Sequence, residues 1–306
     1  MNISECSVSG IVEKDIFGSE ENKLLKETFA ETPGFPVSIY KDDLSREEVM
    51  SHWHDEFEIG WISQGTILVN IEGTHTRLKE GQGFFINSTA IHSMRNARTD
   101  QPAELRSIIF HSSLIAGELT SIFNQKYVTP VIRDTRMRSI FFGEEDSAIL
   151  SHIMLAWDAI HEEQEDYPVI VRNELSLLLA SLAKRATPDD ILQEEKNQPR
   201  YQRAQIILDW IHRNYDKNLT LEELAAEASI SVSEALRCFR EFTDTTPIKY
   251  LKRYRLSCAA RLLRESDESI ASISASCGFQ DLSYFSKSFR EYYQQSPTKY
   301  RNRQNL

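Results

Sequence analysis

The sequence predicts a mixed, two-domain protein: an N-terminal β-barrel with a helical segment behind it, then an all-α C-terminal domain. Three observations predict this. Residues from about 35 to 112 alternate apolar and polar side chains between closely spaced Gly-containing turns, as strands do. Residues 144–186 switch to a helical period. Beyond residue 200 the pattern is helical throughout and repeats itself after fifty residues. A chain of 306 residues suits about two domains.

In the strand region, Ile67-Leu68-Val69-Asn70-Ile71 is followed by the turn Glu72-Gly73. Lys79-Glu80-Gly81-Gln82-Gly83 then leads into Phe84-Phe85-Ile86. Short strands at this spacing make a sandwich or barrel. In the helical segment, Ile149, Ile153, Ala156, Trp157 and Ile160 fall on one face. After Pro168, so do Val171, Leu175, Leu178, Leu179 and Leu182. The result is a helical hairpin whose apolar faces have two open uses: packing on the barrel, or pairing with a second chain as a homodimer. The polar stretch TPDDILQEEKNQPR reads as a linker. The expected organisation is therefore a barrel in 1–142, a dimerising hairpin in 143–186, a linker in 187–200 and a helical domain in 201–306.

Charge is unevenly spread. The net charge is −11, yet residues 200–306 carry +4 and residues 1–199 carry −15. Such asymmetry points to separate jobs for the two parts, with the basic C-terminal part as the candidate nucleic-acid binder. No apolar run of ~18 residues predicts a transmembrane helix, and the N-terminus lacks the pattern of a secretory signal. Cys6, Cys238, Cys258 and Cys277 form no CxxC pair, which fits reduced thiols in the cytoplasm. There is no GxSxG elbow, phosphate-binding Walker loop or dinucleotide GxGxxG, so the expectation is a protein that is not an enzyme.

The C-terminal repeat is in register at six positions. Phe239-Arg240-Glu241 recurs as Phe289-Arg290-Glu291, Pro247 as Pro297, and Lys249-Tyr250 as Lys299-Tyr300. Each unit reads as helix, tight turn, helix. In the first, Thr220 and Glu223 make a capping box, and Leu221, Leu224, Ala225 and Ala228 form a stripe. After the turn Ser229-Ile230, Ser231 caps the next helix, with Glu234 placed to complete a second box. That helix buries Ala235, Cys238, Phe239 and Phe242 and presents Ser233, Leu236, Arg237 and Arg240. In the second unit, Ile270, Ile273 and Ser274 lead to a turn at Gly278-Phe279. Asp281 caps a helix that buries Phe285, Phe289 and Tyr292 and presents Ser283, Ser286, Lys287 and Arg290. Thr246-Pro247 and Ser296-Pro297 start further helices. The first of these, about 248 to 264, bridges the units through Leu251, Tyr254, Leu256, Leu262 and Leu263. A helix presented this way fits the major groove of double-stranded DNA, and two in one chain read successive turns.

This region closely resembles the DNA-binding domain of the AraC/XylS family of transcription regulators. The resemblance rests on LTLEELAAEASISVSEALRCFREF, TTPIKYLKRYRLSCAARLL and SIASISASCGFQDLSYFSKSFREYYQQSPTKYR, about 100 residues. It implies promoter contacts at Ser233, Leu236 and Arg237, and at Gln280, Leu282, Ser283 and Lys287; Arg240 and Arg290 lie on the same faces. RNA polymerase is a further candidate partner. Asp244 and Gln294 stand where the family usually has Gly, and Ala235 where it has Leu.

The barrel carries a second pattern: His52-x-His54-x3-Glu58-x6-Gly65, then Gly81-x5-Asn87-x-Thr89-x2-His92-x3-Asn96. It resembles the paired cupin motifs, with Asn87 and Thr89 in place of the usual Pro and Gly, and the fold implied is a double-stranded β-helix. On one strand, His52, His54 and Glu58 share parity, and His92 joins them from a partner strand. Three readings stay open. The cluster binds a divalent metal, as imidazole and carboxylate do, either as part of a sensor or in a cupin enzyme fused to a DNA-binding domain. It hydrogen-bonds a small effector such as a sugar without metal, as the AraC resemblance implies. Or it is a vestigial, internally satisfied polar cluster. Trp61 lacks the parity of Glu58 and belongs outside the pocket, as does Trp53.

Overall fold

The structure, a computed structural model, describes residues 35–118, 120–134, 136–186 and 198–302. Cys6 and most of the expected linker, 187–197, lie outside the described residues. The chain divides into two units between Lys196 and Asn197.

The first unit is a barrel of two antiparallel sheets. Strands β1 (Val37–Asp43), β2 (Val49–His52), β3 (Phe57–Gln64), β4 (Thr66–Ile71), β5 (Thr74–Lys79), β6 (Gly83–Ile86), β7 (His92–Asn96), β8 (Glu104–Phe110) and β9 (Ser139–Phe142) form it. One sheet has the order β1-β8-β3-β6-β9 and the other β2-β7-β4-β5. Alternation along the strands builds two cores. On β3, Phe57, Ile59 and Trp61 face outward from the barrel, while Ile62 joins Ile67, Val69, Phe84, Ile86, Met94 and Leu105 between the sheets. Gly60 permits a close approach, because a Cβ there would lie 2.5 Å from the Arg106 carbonyl and 2.8 Å from the Phe84 ring. Each large apolar side chain removed from water in these cores stabilises the fold by roughly 1.5–3 kcal/mol.

Helices α1 (Ser113–Ala116) and α2 (Thr129–Arg133) follow β8, with a π-helical turn, Asn124–Val128, between them. The chain then returns to pair β9 with β6, a strand that lies beyond the expected end of the strand region. The hairpin is α3 (Ser147–His161) and α4 (Tyr167–Ala183). Every residue of its two apolar stripes is buried in one cluster with Phe57, Ile59, Trp61, Phe85, Ile108 and Phe110. The stripes therefore serve the unit's own core, and these residues are not surface for a second chain. What α3 and α4 expose instead is Leu155, Val169 and Leu177.

The second unit is helical: α5 (Gln198–Asn214), α6 (Leu221–Glu227), α7 (Val232–Thr243), α8 (Pro247–Glu265), α9 (Ile270–Ser276), α10 (Leu282–Tyr293) and α11 (Pro297–Asn302). Its first helix opens at Gln198, two residues before the expected end of the linker. The caps form as expected at Thr220 with Glu223, at Ser231 and at Asp281. The second capping box does not form. Ser231 accepts the Glu234 N–H at 3.3 Å, but the Glu234 carboxylate turns to arginines. Tyr292 is half-buried rather than buried, and so is Leu262. The spacing between the units changes inside the turn. α6 and α9 are 49 residues apart, and α7 and α10 are 50, because the second turn holds one more residue. Gly278 takes φ +77° there, and a Cβ on it would meet the Tyr215 and Asp216 carbonyls at 2.7 and 2.8 Å. Asp244 and Gln294 keep the left-handed conformation that Gly favours, at φ 58° and 56°. Ala235 is fully buried.

Replacing Asp244 or Gln294 with Gly is expected to stabilise this unit by about 0.5–1 kcal/mol each, since a Cβ in the left-handed region costs ~1–2 kcal/mol and Gly's extra chain entropy offsets part of the gain. Urea midpoints of the single variants check this. His212 on α5 is buried, with its Nε2 2.7 Å from the Tyr250 hydroxyl, and burial pushes its pKa down to about 3. The unfolded chain therefore binds this proton below pH 6.5 while the folded chain does not. Stability should fall as pH drops from 6.5 toward 3, by up to ~1.4 kcal/mol per pH unit. His212→Asn should flatten that slope in urea unfolding of this unit, whatever it does to stability at pH 7.

Candidate functional site

His52, His54, Glu58 and His92 converge inside the barrel, with one ligand atom from each lying within 4.8 Å of the others. All four are buried. They do not share one strand. His52 ends β2 and pairs directly with His92 on β7, His54 sits in the connection to β3, and Glu58 is on β3 itself. The parity expected for Glu58 and Trp61 holds: Trp61 lies on the other face, edge-on to Trp157 of α3. Trp53 is half-buried in the β2–β3 connection.

Backbone carbonyls orient all three rings. His52 Nδ1 lies 2.8 Å from the Met50 carbonyl, His54 Nδ1 3.1 Å from that of Glu56, and His92 Nδ1 2.8 Å from that of Ala90. A carbonyl only accepts, so each Nδ1 carries the proton, and a neutral ring then presents a bare lone pair at Nε2. His92 Nε2 stands 2.9 Å and His54 Nε2 3.6 Å from Glu58 Oε2. Burial alone would raise the Glu58 pKa. Contact with His54 and His92 outweighs burial and holds the carboxyl ionised, well below the usual carboxylate range. Burial, then the neighbouring His92 and His54, push the His52 pKa well below its ordinary value, so this ring resists a proton. The set is thus one carboxylate ringed by imidazole nitrogens in a dry interior: an Nε2 facing Glu58 donates to it when its ring carries a second proton, and turns a lone pair to a cation when the ring is neutral.

The loop before β7 is locked in place. Asn87, where the pattern has Pro, donates from its amide to the Val131 and Met137 carbonyls at 2.8 and 2.9 Å. Thr89, where the pattern has Gly, takes φ 65°, and its N–H reaches the His54 carbonyl at 2.6 Å. The loop therefore ties His54 to the segment that ends in Arg138, whose guanidinium meets Glu72 at 2.7 Å.

The C-terminal unit presents the other candidate surface. On α7, Ser233, Arg237 and Arg240 are exposed and Leu236 is half-buried, opposite the buried Ala235, Cys238, Phe239 and Phe242. On α10, Leu282, Ser283, Lys287 and Arg290 are exposed, with Gln280 exposed in the turn before them. Leu282, Ser283, Ser286, Lys287 and Arg290 line one shallow concavity with Glu291 and Gln294. Sequence reasoning missed the partners of these cations. Arg237 is held by Glu234, which Arg200 and Arg203 of α5 also approach, whereas Lys287 faces Glu291 at 4.0 Å. The signal available was the i, i+3 spacing of Glu234 and Arg237.

Comparison with known proteins assigns both units. The family described as AraC-like ligand binding domain matches residues 36–179, and that described as helix-turn-helix domain matches residues 224–303. An uncharacterised HTH-type transcriptional regulator, YdeC of Bacillus subtilis (strain 168), is 27% identical over 276 residues, 88% of this chain and 93% of that one. The HTH-type transcriptional activator RhaS of Klebsiella pneumoniae (strain 342) is 27% identical over 284 residues, 88% and 90% of the two chains. Among solved structures, unsaturated fatty acid-bound ToxT of Vibrio cholerae is 14% identical, with 87% and 94% coverage and a TM-score of 0.45.

Proposed function

This chain belongs to the AraC/XylS family of transcription regulators, and we propose that it reads DNA through α7 and α10 and senses its effector at a divalent-metal centre in the barrel. It is a DNA-binding regulator that responds to a small molecule. The observation that carries the metal reading is the donor set. Three rings, each held at Nδ1 by a backbone carbonyl, and one carboxylate bring a ligand atom apiece to within 4.8 Å of one another, and such a set suits Zn, Fe, Mn or a similar ion. His52, His54, Glu58 and His92 would hold it. A bound cation would supply a Lewis-acidic anchor for an oxygen atom of the effector. The chain's own residues do the rest. The carbonyls of Met50, Glu56 and Ala90 orient the rings, and the apolar side chains between the sheets exclude water.

The relatives are named as regulators. That favours a sensing role for the barrel over the fused-enzyme alternative. A cytoplasmic location goes with contact to a promoter, and among the described residues no helix is long and apolar enough to cross a membrane. Pairing of two chains would use surface outside the buried stripes, and Leu155, Val169 and Leu177 are the exposed apolar residues of α3 and α4. RNA polymerase remains a partner to be tested at the promoter.

On α7 and α10, short polar and basic side chains project away from a buried face, as groove entry requires. We assign base contact to Ser233, Leu236, Arg237, Gln280, Leu282 and Ser283, and backbone contact to Arg240, Lys287 and Arg290.

Chelator-stripped protein should bind one equivalent of Zn(II), Mn(II) or Fe(II) per chain by calorimetry. At a free concentration 100 times Kd, the metal should stabilise the barrel by ~2.7 kcal/mol. Glu58→Gln and His92→Ala should abolish both effects; no uptake by the parent chain would reject the metal centre. In titrations with operator DNA, Arg237→Ala should cost about 1–3 kcal/mol, and Lys287→Ala should lower the salt slope by roughly one. Unchanged affinity in both would show that the groove-facing register is misassigned.

A further inference from the structure

We propose that Glu234 is a positioning residue that fixes Arg237 to read a guanine in the major groove, and that Arg200 and Arg203 brace Glu234 for this role. The inference rests on the reading of α7 as a base-reading helix. Glu234 and Arg237 lie one turn apart on that helix, and the Glu234 Oε2 accepts a hydrogen bond from Arg237 Nη2. The other carboxylate oxygen faces Arg200 Nε and Arg203 Nη1, both at 3.7 Å, from the first turns of α5. Arg200 also reaches Glu241, further along α7, at 3.6 Å. The anchor is sheltered and the arginine is not: the Glu234 side chain is 20% exposed and that of Arg237 57%. Two guanidinium groups thus hold the carboxylate from behind while it holds a third in front.

Held this way, Arg237 gives one N–H to Glu234 and keeps the rest of its planar fork free. Guanine offers O6 and N7 as a matching pair of acceptors in the major groove, and a pre-oriented guanidinium loses less freedom on meeting them. The carboxylate works in the opposite sense on the sugar–phosphate backbone, since a negative charge beside Arg237 repels phosphate. Glu234 therefore favours base contact over backbone contact, which is how an interface gains specificity at the expense of generic affinity. The repeat supplies an internal comparison. Lys287 occupies on α10 the register of Arg237 on α7, fifty residues on. It is a point charge 77% exposed, and the carboxylate it faces, Glu291, is 4.0 Å away and 59% exposed. Among the described residues no third group braces that pair, which suits a backbone contact. The side chain of Glu234 does not cap the helix either: Ser231 takes its backbone N–H, but no reciprocal bond from the Ser231 N–H to the Glu234 carboxylate completes a capping box.

Selection from a random DNA library with the full chain tests this, run in parallel on the parent, Glu234→Gln, Arg237→Lys and Arg237→Ala. The parent should enrich a site with a fixed guanine in one block. Arg237→Lys should keep the salt slope of binding but lose preference for that guanine. Glu234→Gln should bind random DNA at least as tightly as the parent, while its preference for guanine at that position falls roughly 5–10-fold, within the range of one bidentate contact. Arg203→Gln, which loosens the brace from outside α7, should shift preference the same way, and it serves if Glu234→Gln melts early. Undiminished guanine preference in Glu234→Gln and Arg203→Gln, or an equal loss of affinity for all DNA, would overturn the proposal. If Arg237→Ala selects the parent's site unchanged, the base-reading assignment of α7 itself fails, and the proposal with it.

Discussion

Strand β3 must satisfy two environments at once, and much of the N-terminal unit follows from how it does so. Its odd-numbered residues, Phe57, Ile59 and Trp61, fasten the sheet to α3 and α4. Its even-numbered side enters the barrel with Glu58, the one carboxylate of the buried cluster, and Ile62. A slip of one residue would exchange the two sets, placing a carboxylate in the helix core and a tryptophan in the barrel. Pairing on both edges prevents the slip: Glu58 lies opposite Ile86 of β6 and Ile109 of β8. The same registration brings Glu58 Oε2 to His92, whose position is set by the pairing of β7 with β2 and β4. The chemistry at the centre of the barrel thus depends on the packing outside it.

In the C-terminal unit, the equivalent constraint is the orientation of two short helices. Each of α7 and α10 begins at a side-chain cap, Ser231 or Asp281, and ends at a non-Gly residue held in the left-handed conformation. The buried faces, built on Phe239 and Phe242 in one and Phe285 and Phe289 in the other, leave the opposite side of each helix exposed. α8 connects the repeats through Tyr250, Leu251, Tyr254 and Leu263, so the outward faces belong to one packed body. The two faces are not copies. A braced arginine occupies a position in one where a loosely paired lysine stands in the other.

The parts of this architecture legible in the sequence are those governed by local period and spacing. The hairpin stripes, the caps at Thr220, Ser231 and Asp281, and the four residues of the barrel cluster all follow from which side chains recur at which interval. Competition between distant groups was not legible. Glu234 has the spacing of a capping box, but arginines at 200 and 203 approach its carboxylate, and no local rule places them there. His52, His54 and Glu58 share parity, yet the chain leaves the strand after His52 and re-enters at Phe57, so proximity comes from a connection rather than one strand. β9 is four residues after a helical excursion, too short for an alternation pattern to declare it. The hairpin stripes were readable as apolar, but whether they met the barrel or another chain depended on how much sheet surface was available to cover them.

The central claim is that one chain reads DNA with both α7 and α10. Hydroxyl-radical footprinting of the full protein on a DNA site selected by it tests this most directly. The account predicts two protected patches per chain on one face of the duplex, about 10 bp apart, the spacing of successive major-groove turns. A single protected patch per chain, unchanged when Lys287 and Ser283 are both replaced by Ala, would mean that α10 does not enter the groove and would contradict it.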